Sequence, residues 1–403
     1  MDTVTITPRG PLLVRDGRPF DPSGPNRAVS VDWPYPSVTA GAVRTLLARL
    51  SNPGSRPPFD DPAFLATLRS TEVHGPLLFV EGRMYLPRPQ DAVAFEGDGM
   101  RRLVALRPHP LGPDEGCDLP LPGLQPLDVA EDAKPAAIAA FWSMPRMTEW
   151  LAADAVPGFL ARAASRDGGS YEDGFLPALE REERVNVSID PTTGTSSEGK
   201  LFTTSGLVFP PGYSMVVRVR TPNDRLRSAL GSLPTLASIG GERRLAEFAA
   251  RSSDGEDGWS APTTLLNALR RARGVRMVLA TPAVFAQGWL PGWVDPQSLE
   301  AHPPGADPSL KLVLRSACLE RWRPISGWSL EAATSDGTGR SRPGPKPSRR
   351  MVPAGAVYFF EVAAGDPVSL AERLWLESVC DQVQDRADGF GLALWGVWER
   401  PPH

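Results

Sequence analysis

The chain has 403 residues, with 43 Lys+Arg against 47 Asp+Glu, a formal charge of −4 and 41 % apolar residues. Its 38 glycines and 44 prolines make up about a fifth of the sequence, below the ~25–30 % typical of low-complexity chains. Collagen-like, disordered and disulfide-scaffold classes are excluded, and the length suggests two or three domains with ample cores.

A slightly acidic total gives no general attraction to phosphate, so any nucleic-acid site must be a local patch. Only Lys134, Lys200, Lys311 and Lys346 are lysines and every other basic residue is arginine, the better side chain for bidentate phosphate contacts and for stacking. Cys117, Cys318 and Cys380 are odd in number and widely spaced, as expected of reduced thiols in a cytoplasmic protein. The N-terminus lacks the basic and apolar regions of a signal peptide. The longest uncharged stretch, 277–294, is broken by Pro282, Gln287, Gly288 and Pro291, which argues against a membrane helix.

In chain order, Val4, Ile6 and Leu12 to Val14 predict an extended entry ending at Asp16-Gly17. A helix follows, with Pro36 and Ser37 as start and N-cap and Val43, Leu46, Leu47 and Leu50 as its apolar stripe. Arg44 lies on the flank of that stripe. Residues 75–83 echo residues 10–18, each an apolar strand followed by a carboxylate-glycine turn and an arginine, and Glu81-Gly82 should turn a hairpin. Residues 108–135 and 167–174 read as loops, and 141–151 as a short helix interrupted by Pro145.

Val185, Val187 and Ile189 alternate with polar residues, predicting a half-buried strand. Its partner is expected at 201–209, across a polar tip at 191–200. A strand at 215–219 follows, and Ile239-Gly240-Gly241 introduces a helix over 242–250. Residues 252–258 form the expected linker. Beyond it come strands at 276–280 and 312–314, a basic loop at 334–350 and a strand at 356–362. A helix capped by Asp366 carries Pro367 at its first position and Ala371, Leu374, Trp375 and Val379 on its apolar face. The last strand is 392–398. The second half therefore reads β–loop–β–β–α–β, compatible with a split βαβ sheet, and the first half begins on the same plan.

Catalytic signals are sparse. His74, His109, His302 and His403 lie far apart without ligand spacing to a Cys or acid, so no metal site is expected. Neither a GxSxG elbow nor a phosphate-cradling GxxxxGK[ST] loop occurs. His74 is the one candidate base for a metal-independent ribonuclease, against the plainer role of a packed histidine. Local positive charge beside glycine turns stands out more. The run 338–350 holds Arg340, Arg342, Lys346, Arg349 and Arg350 with no acid, and Gly240 and Gly241 precede Arg243 at an expected helix start. Thr193 and Thr195 lie in a hydroxyl-rich tip able to bond phosphates or a 2′-OH.

These segments form an ordered set: Pro8 to Leu12 with Arg15 to Phe20; Pro36-Ser37-Val38-Thr39-Ala40-Gly41-Ala42-Val43-Arg44; Val187 to Asp190 with Thr193-Gly194-Thr195 and Glu198 to Phe202; Ile239 to Arg243; Thr281 to Phe285 with Gly288-Trp289; and Val352 to Tyr358. In that order the chain resembles the third-subunit family of the Cmr module, RAMP-superfamily proteins of type III-B CRISPR effector complexes. The resemblance implies an α+β fold of two ferredoxin-like, RRM-related βαββαβ domains. The first, 1–258, would carry large insertions and an extended hairpin at 184–209; the second would be 259–403.

The resemblance also implies a non-catalytic subunit without cofactor or metal. It would hold the five-prime handle of the crRNA and bridge the large polymerase-like subunit to a backbone RAMP subunit. Carried onto this sequence, the expected RNA contacts are Arg15, Arg18, Ser37, Thr39, Gly41, Arg44, Thr193, Thr195, Lys200, Gly240, Gly241, Arg243, Arg340, Lys346, Arg349 and Arg350. The C-terminal glycine loop departs from the family pattern: Gly389 and Gly391 are followed by Gly396, and Trp398 stands in the last glycine's place, where it is expected to pack. The alternative is a RAMP endoribonuclease that uses His74 to process precursor RNA; a third reading is a pure protein scaffold.

Overall fold

The computed structural model describes residues 2–15, 26–97, 100–128, 134–153, 173–251, 258–335 and 341–398. The chain forms two compact units, each assembled from three segments. The first takes Met1–Pro76, Leu179–Arg251 and Arg323–Met351; the second takes Leu77–Ala178, Ser252–Trp322 and Val352–His403. One cut at 258/259 was expected from sequence; here each unit is discontinuous. No helix among the described residues is long and apolar enough to cross a membrane.

In the first unit, four strands share a sheet. They are Asp2–Pro8, the first half of Glu72–Val80, Tyr213–Arg220 and Leu245–Arg251; numbered one to four in chain order, they lie in the order 4-1-3-2. Thr235–Ser238 adds a strand beyond the fourth. Alternate residues Val4 and Ile6, Met215, Val217 and Val219, and Ala246 and Phe248 point to one face, where Val43, Leu46 and Leu47 of the helix Pro36–Leu50 complete the core.

Several expectations are corrected here. The helix N-cap is Tyr35, not Ser37, and no side chain caps it. The expected helix at 242–250 is a turn, Gly241–Arg243, followed by the strand Leu245–Arg251. Its Glu, Arg, Leu and Ala residues favour helix, but pairing with Asp2–Pro8 buries Ala246 and Phe248 completely, and tertiary burial outweighs propensity. Strand Arg181–Ile189 pairs with Ser196–Leu207, so the tip is 191–195 and Lys200 lies in a strand rather than in the tip. That strand is not half-buried: Val185 is 74 % exposed and Ile189 55 %. The basic run 334–350 is not a loop throughout. Trp328–Ser335 pairs with Ser341–Pro345, and Arg349–Met351 pairs with Arg323–Ile325.

The second unit repeats the strand order. Gly274–Leu279, Lys311–Cys318, Val357–Ala364 and Ala393–Val397, numbered one to four, lie as 4-1-3-2 with antiparallel pairing throughout. The hairpin predicted at Glu81-Gly82 is present, with both residues at positive φ. Pro145 does not interrupt a helix. It occupies the first turn of Met144–Ala152, which follows the strand Phe141–Ser143, because proline is tolerated where no N–H is needed. The helix after Asp366 is Val368–Leu374, one residue later than expected. Asp366 Oδ1 accepts from Val368 N at 3.0 Å, while Trp375 and Val379 are buried beyond the helix end.

A buried ionic cluster organises this unit. Arg276 and Asp91 are both 0 % exposed. Arg276 Nη1 donates to Asp91 Oδ2 at 2.6 Å, Arg276 Nη2 donates to the carbonyl of Trp150, and Trp150 Nε1 donates to Asp91 Oδ1 at 3.1 Å. The C-terminal glycine loop is interior as well. Gly391 has φ +67°, and a Cβ there would lie 2.7 Å from Cys380 Sγ. Trp398 Nε1 donates to the carbonyls of Val275 and Phe360 at 3.1 and 3.0 Å; the tryptophan packs.

Candidate nucleic-acid interface

Every expected RNA contact that the structure describes belongs to the first unit. Arg18 and Arg340 lie outside the described residues, as does the side chain of Lys200. The segment 12–15 is the hub. Leu12 exchanges both backbone hydrogen bonds with Leu207 at the base of the hairpin, each 2.8 Å. Val14 O accepts from Val31 N at 2.8 Å, and Leu13 O accepts from Gly241 N at 2.7 Å. Three chain segments remote in sequence are thus tied to the stretch that carries the exposed Arg15.

The turn at Gly240 depends on that contact. Gly240 has φ +70°, and a Cβ would come within 2.6 Å of the Leu13 carbonyl, so only glycine lets the two backbones approach. Gly241 N is spent on Leu13 and the turn leads into a strand, which corrects the expectation of a helix start here. Glu242 and Arg243 follow at φ 55° and 52°, a left-handed pair that costs L-residues of order 1–3 kcal/mol each. Arg244 holds the turn by donating to Glu242 at 2.6 Å, and Ile239 N bonds Arg244 O at 2.8 Å. Arg243 is left exposed at its apex.

Asp32 fastens the segment Arg323–Met351, the basic arm, to the base of the hairpin. It accepts from Arg181 Nη2 at 2.7 Å and from Arg323 Nη1 at 2.6 Å, while Arg181 Nη1 donates to Ser30 O at 2.5 Å. Partial burial raises the Asp32 pKa, but the two guanidinium hydrogen bonds outweigh it and leave the carboxyl below its ordinary value. Arg323 lies in the strand that pairs with Arg349 and Arg350, so the exposed Arg350 and the half-buried Arg349 join the same framework. Lys346 is exposed, its N–H bonded to Gly327 O at 2.7 Å. At the hairpin tip, Asp190 Oδ1 accepts from Thr192 N at 2.7 Å, which holds its pKa low, and the hydroxyls of Thr193 and Thr195 are 2.8 Å apart.

The helix Pro36–Leu50 holds the remaining expected contacts differently. Thr39 is fully buried and donates to Pro36 O at 2.9 Å. Arg44 donates from Nε and Nη2 to Thr71 O at 3.0 and 2.7 Å, satisfying a carbonyl just past the helix Pro62–Arg69. Ser37 is half-buried, and Gly41 is exposed with open space where a Cβ would lie. Arg15, the Arg243 turn, the hairpin and the basic arm therefore hang on one bonded framework, with Arg44 committed elsewhere. Sequence reading missed Asp32, Arg181 and Arg323, because an ion pair spanning 291 residues leaves no local signal.

His74 is corrected as a catalytic candidate. It lies within the strand Glu72–Val80 and is 5 % exposed. Burial, with Arg218 and Arg220 nearby, lowers its pKa to about 3, and Arg218 Nη2 lies 3.1 Å from Nδ1. A neutral imidazole accepting from an arginine is poorly placed to take a proton from a ribose hydroxyl.

The chain is a mixed α+β protein whose sheets are mostly antiparallel, and the family model for the CRISPR-associated protein Cas_Cmr3 matches residues 4–398. The chain belongs to the Cas_Cmr3 family. A chain of the type III-B Cmr-β complex bound to cognate target RNA and AMPPNP is similar at 15 % identity, over 89 % of this chain and 86 % of that one, with a TM-score of 0.46. The same complex with target RNA alone gives 15 % identity, the same coverage and a TM-score of 0.45. A chain of the Csm3–Csm4 subcomplex of the type III-A interference complex gives 9 % identity, 91 % and 94 % coverage and a TM-score of 0.37. No curated protein matches the chain.

Proposed function

We propose that this chain is the non-catalytic RNA-holding subunit of a type III-B Cmr effector complex. It grips the five-prime handle of the crRNA and bridges the large polymerase-like subunit to the first backbone subunit. Family membership over residues 4–398 supports the assignment to the complex. The 4-1-3-2 strand order in each unit supports two ferredoxin-like domains. One observation carries the RNA reading: Arg15, Arg243, Arg349 and Arg350 converge on a hydrogen-bonded framework around residues 12–15. Arginines on a rigid frame neutralise a single-stranded backbone without reorganisation, and the hydroxyls at the hairpin tip reach further along it.

The test is filter binding of a handle-length RNA to the assembled complex. Arg243→Ala combined with Arg350→Ala should weaken retention by about 2–6 kcal/mol, at about 1–3 kcal/mol for each good contact. Retention equal to that of the parent complex would refute the assignment of these residues.

A further inference from the structure

The second unit carries an opening of about 250 Å³ that the RNA reading does not use. It lies between the exposed loop before Leu124 and the strand Lys311–Cys318, and its apolar walls are Leu119, Pro120, Leu124, Trp289 and Leu319. The Ser316 hydroxyl and the Gln125 backbone are already engaged. Ser316 Oγ donates to Gln125 O at 2.8 Å, and Gln125 N donates to Arg315 O at 2.7 Å. Leu119 is 37 % exposed and Trp289 half-buried, so apolar surface faces solvent here. The loop beside it carries Asp114, Glu115 and Asp118, all exposed, and no lysine or arginine between residues 110 and 122.

We propose that this opening is a socket for one apolar side chain of a partner polypeptide whose flanking residues are basic. The inference rests on the reading that the chain works inside a multi-subunit complex. Three observations select that occupant. The volume falls short of the ~300–1,000 Å³ of drug-sized ligand sites but suits a single large side chain. The walls offer contact area with little hydrogen bonding, which is how a buried anchor residue is held. The acidic loop repels a phosphate backbone and attracts lysine or arginine, so charge complementarity favours a basic protein segment over a nucleotide.

Cys117, exposed and two residues from Leu119, is a native reporter. Burial pushes the thiols of Cys318 and Cys380 up to about 12, so both react slowly with N-ethylmaleimide. Labelling of Cys117 is followed in the full-length chain alone, with crRNA alone, and in the complex reconstituted with its partner subunits. The expected result is labelling slowed roughly tenfold by the partner subunits and unchanged by RNA alone. Ala317→Phe, which fills the opening from the strand, should restore fast labelling in the presence of partners. Asp114→Lys with Asp118→Lys, confined to the exposed loop, should do the same without touching a core. Protection by RNA alone would make the occupant a nucleic acid and overturn the proposal. Fast labelling in a fully assembled complex would overturn it while leaving the RNA-holding role standing. Failure of the parent chain to assemble with its partner subunits would overturn both.

Discussion

Asp91 and Arg276 show what a buried charge demands of its neighbours. Each is fully enclosed, and the pair persists because Trp150 supplies a donor to the carboxylate and a carbonyl to the guanidinium. Removing one partner strands the other charge, so Asp91→Ala should cost about 3–5 kcal/mol. The double variant Asp91→Leu with Arg276→Met should lose less than either single change. Denaturant midpoints of the three variants decide this. His74 carries a different signature. Its pKa falls from 6.5 unfolded to about 3 folded, so only the unfolded chain takes up a proton as pH drops below 6.5. Its contribution to stability is complete above pH 6.5 and is lost as pH falls toward 3. Between pH 6.5 and 5 that loss amounts to about 2 kcal/mol. His74→Gln should flatten this part of the stability profile, measured by urea unfolding across the range.

Among the elements, the arm and the hairpin are the pieces whose behaviour follows most directly from their fastening. Asp32 holds the arm through Arg323, and its carboxyl titrates below the ordinary value. The ion pair is therefore intact above about pH 4 and is lost as pH falls through the folded pKa. Asp32 is well exposed, so Asp32→Asn should cost no more than about 1 kcal/mol. It should still speed hydrogen exchange at Arg349 to Met351 at neutral pH. The hairpin bears Val185, Val187, Ile189 and Leu201 on solvent-facing positions. Val185→Thr with Ile189→Thr should leave the thermal midpoint almost unmoved, within about 0.5 kcal/mol.

Local features were the legible ones: the stripe of Val43, Leu46 and Leu47, the Glu81-Gly82 turn and the alternation at Val185. Whether an alternating strand is covered depends on what packs over it, and that information lies elsewhere in the chain. The strand at Leu245 was misread for the same reason, since its identity comes from Asp2–Pro8. At the interface, the arginines and glycine turns were visible as residue types. The framework joining them was not, because Leu12, Leu207, Gly241 and Asp32 meet only after folding.

For the whole molecule, the proposed RNA-holding role requires a chain of net charge −4 to concentrate arginine on one unit. Binding should then depend steeply on salt even though the total charge is unfavourable. For a single strand, each lost phosphate contact lowers the slope of log affinity against log salt by about 0.7. The Arg243→Ala and Arg350→Ala pair should thus lower it by about 1.4 if both touch phosphate. The same titration distinguishes these arginines from residues that read bases, whose loss changes affinity without changing the slope.

The discontinuity of the two units has a consequence for how the protein is made. The first unit takes its last segment from Arg323–Met351, so the ribosome must release most of the polypeptide before that segment can dock. Its N-terminal sheet can form early, but the arm arrives only after much of its neighbour has been synthesised. Folding one finished domain after another during translation, the usual route for long chains, is closed to it. Genes split near residue 258 should yield two incomplete products that recover their shape only when expressed together.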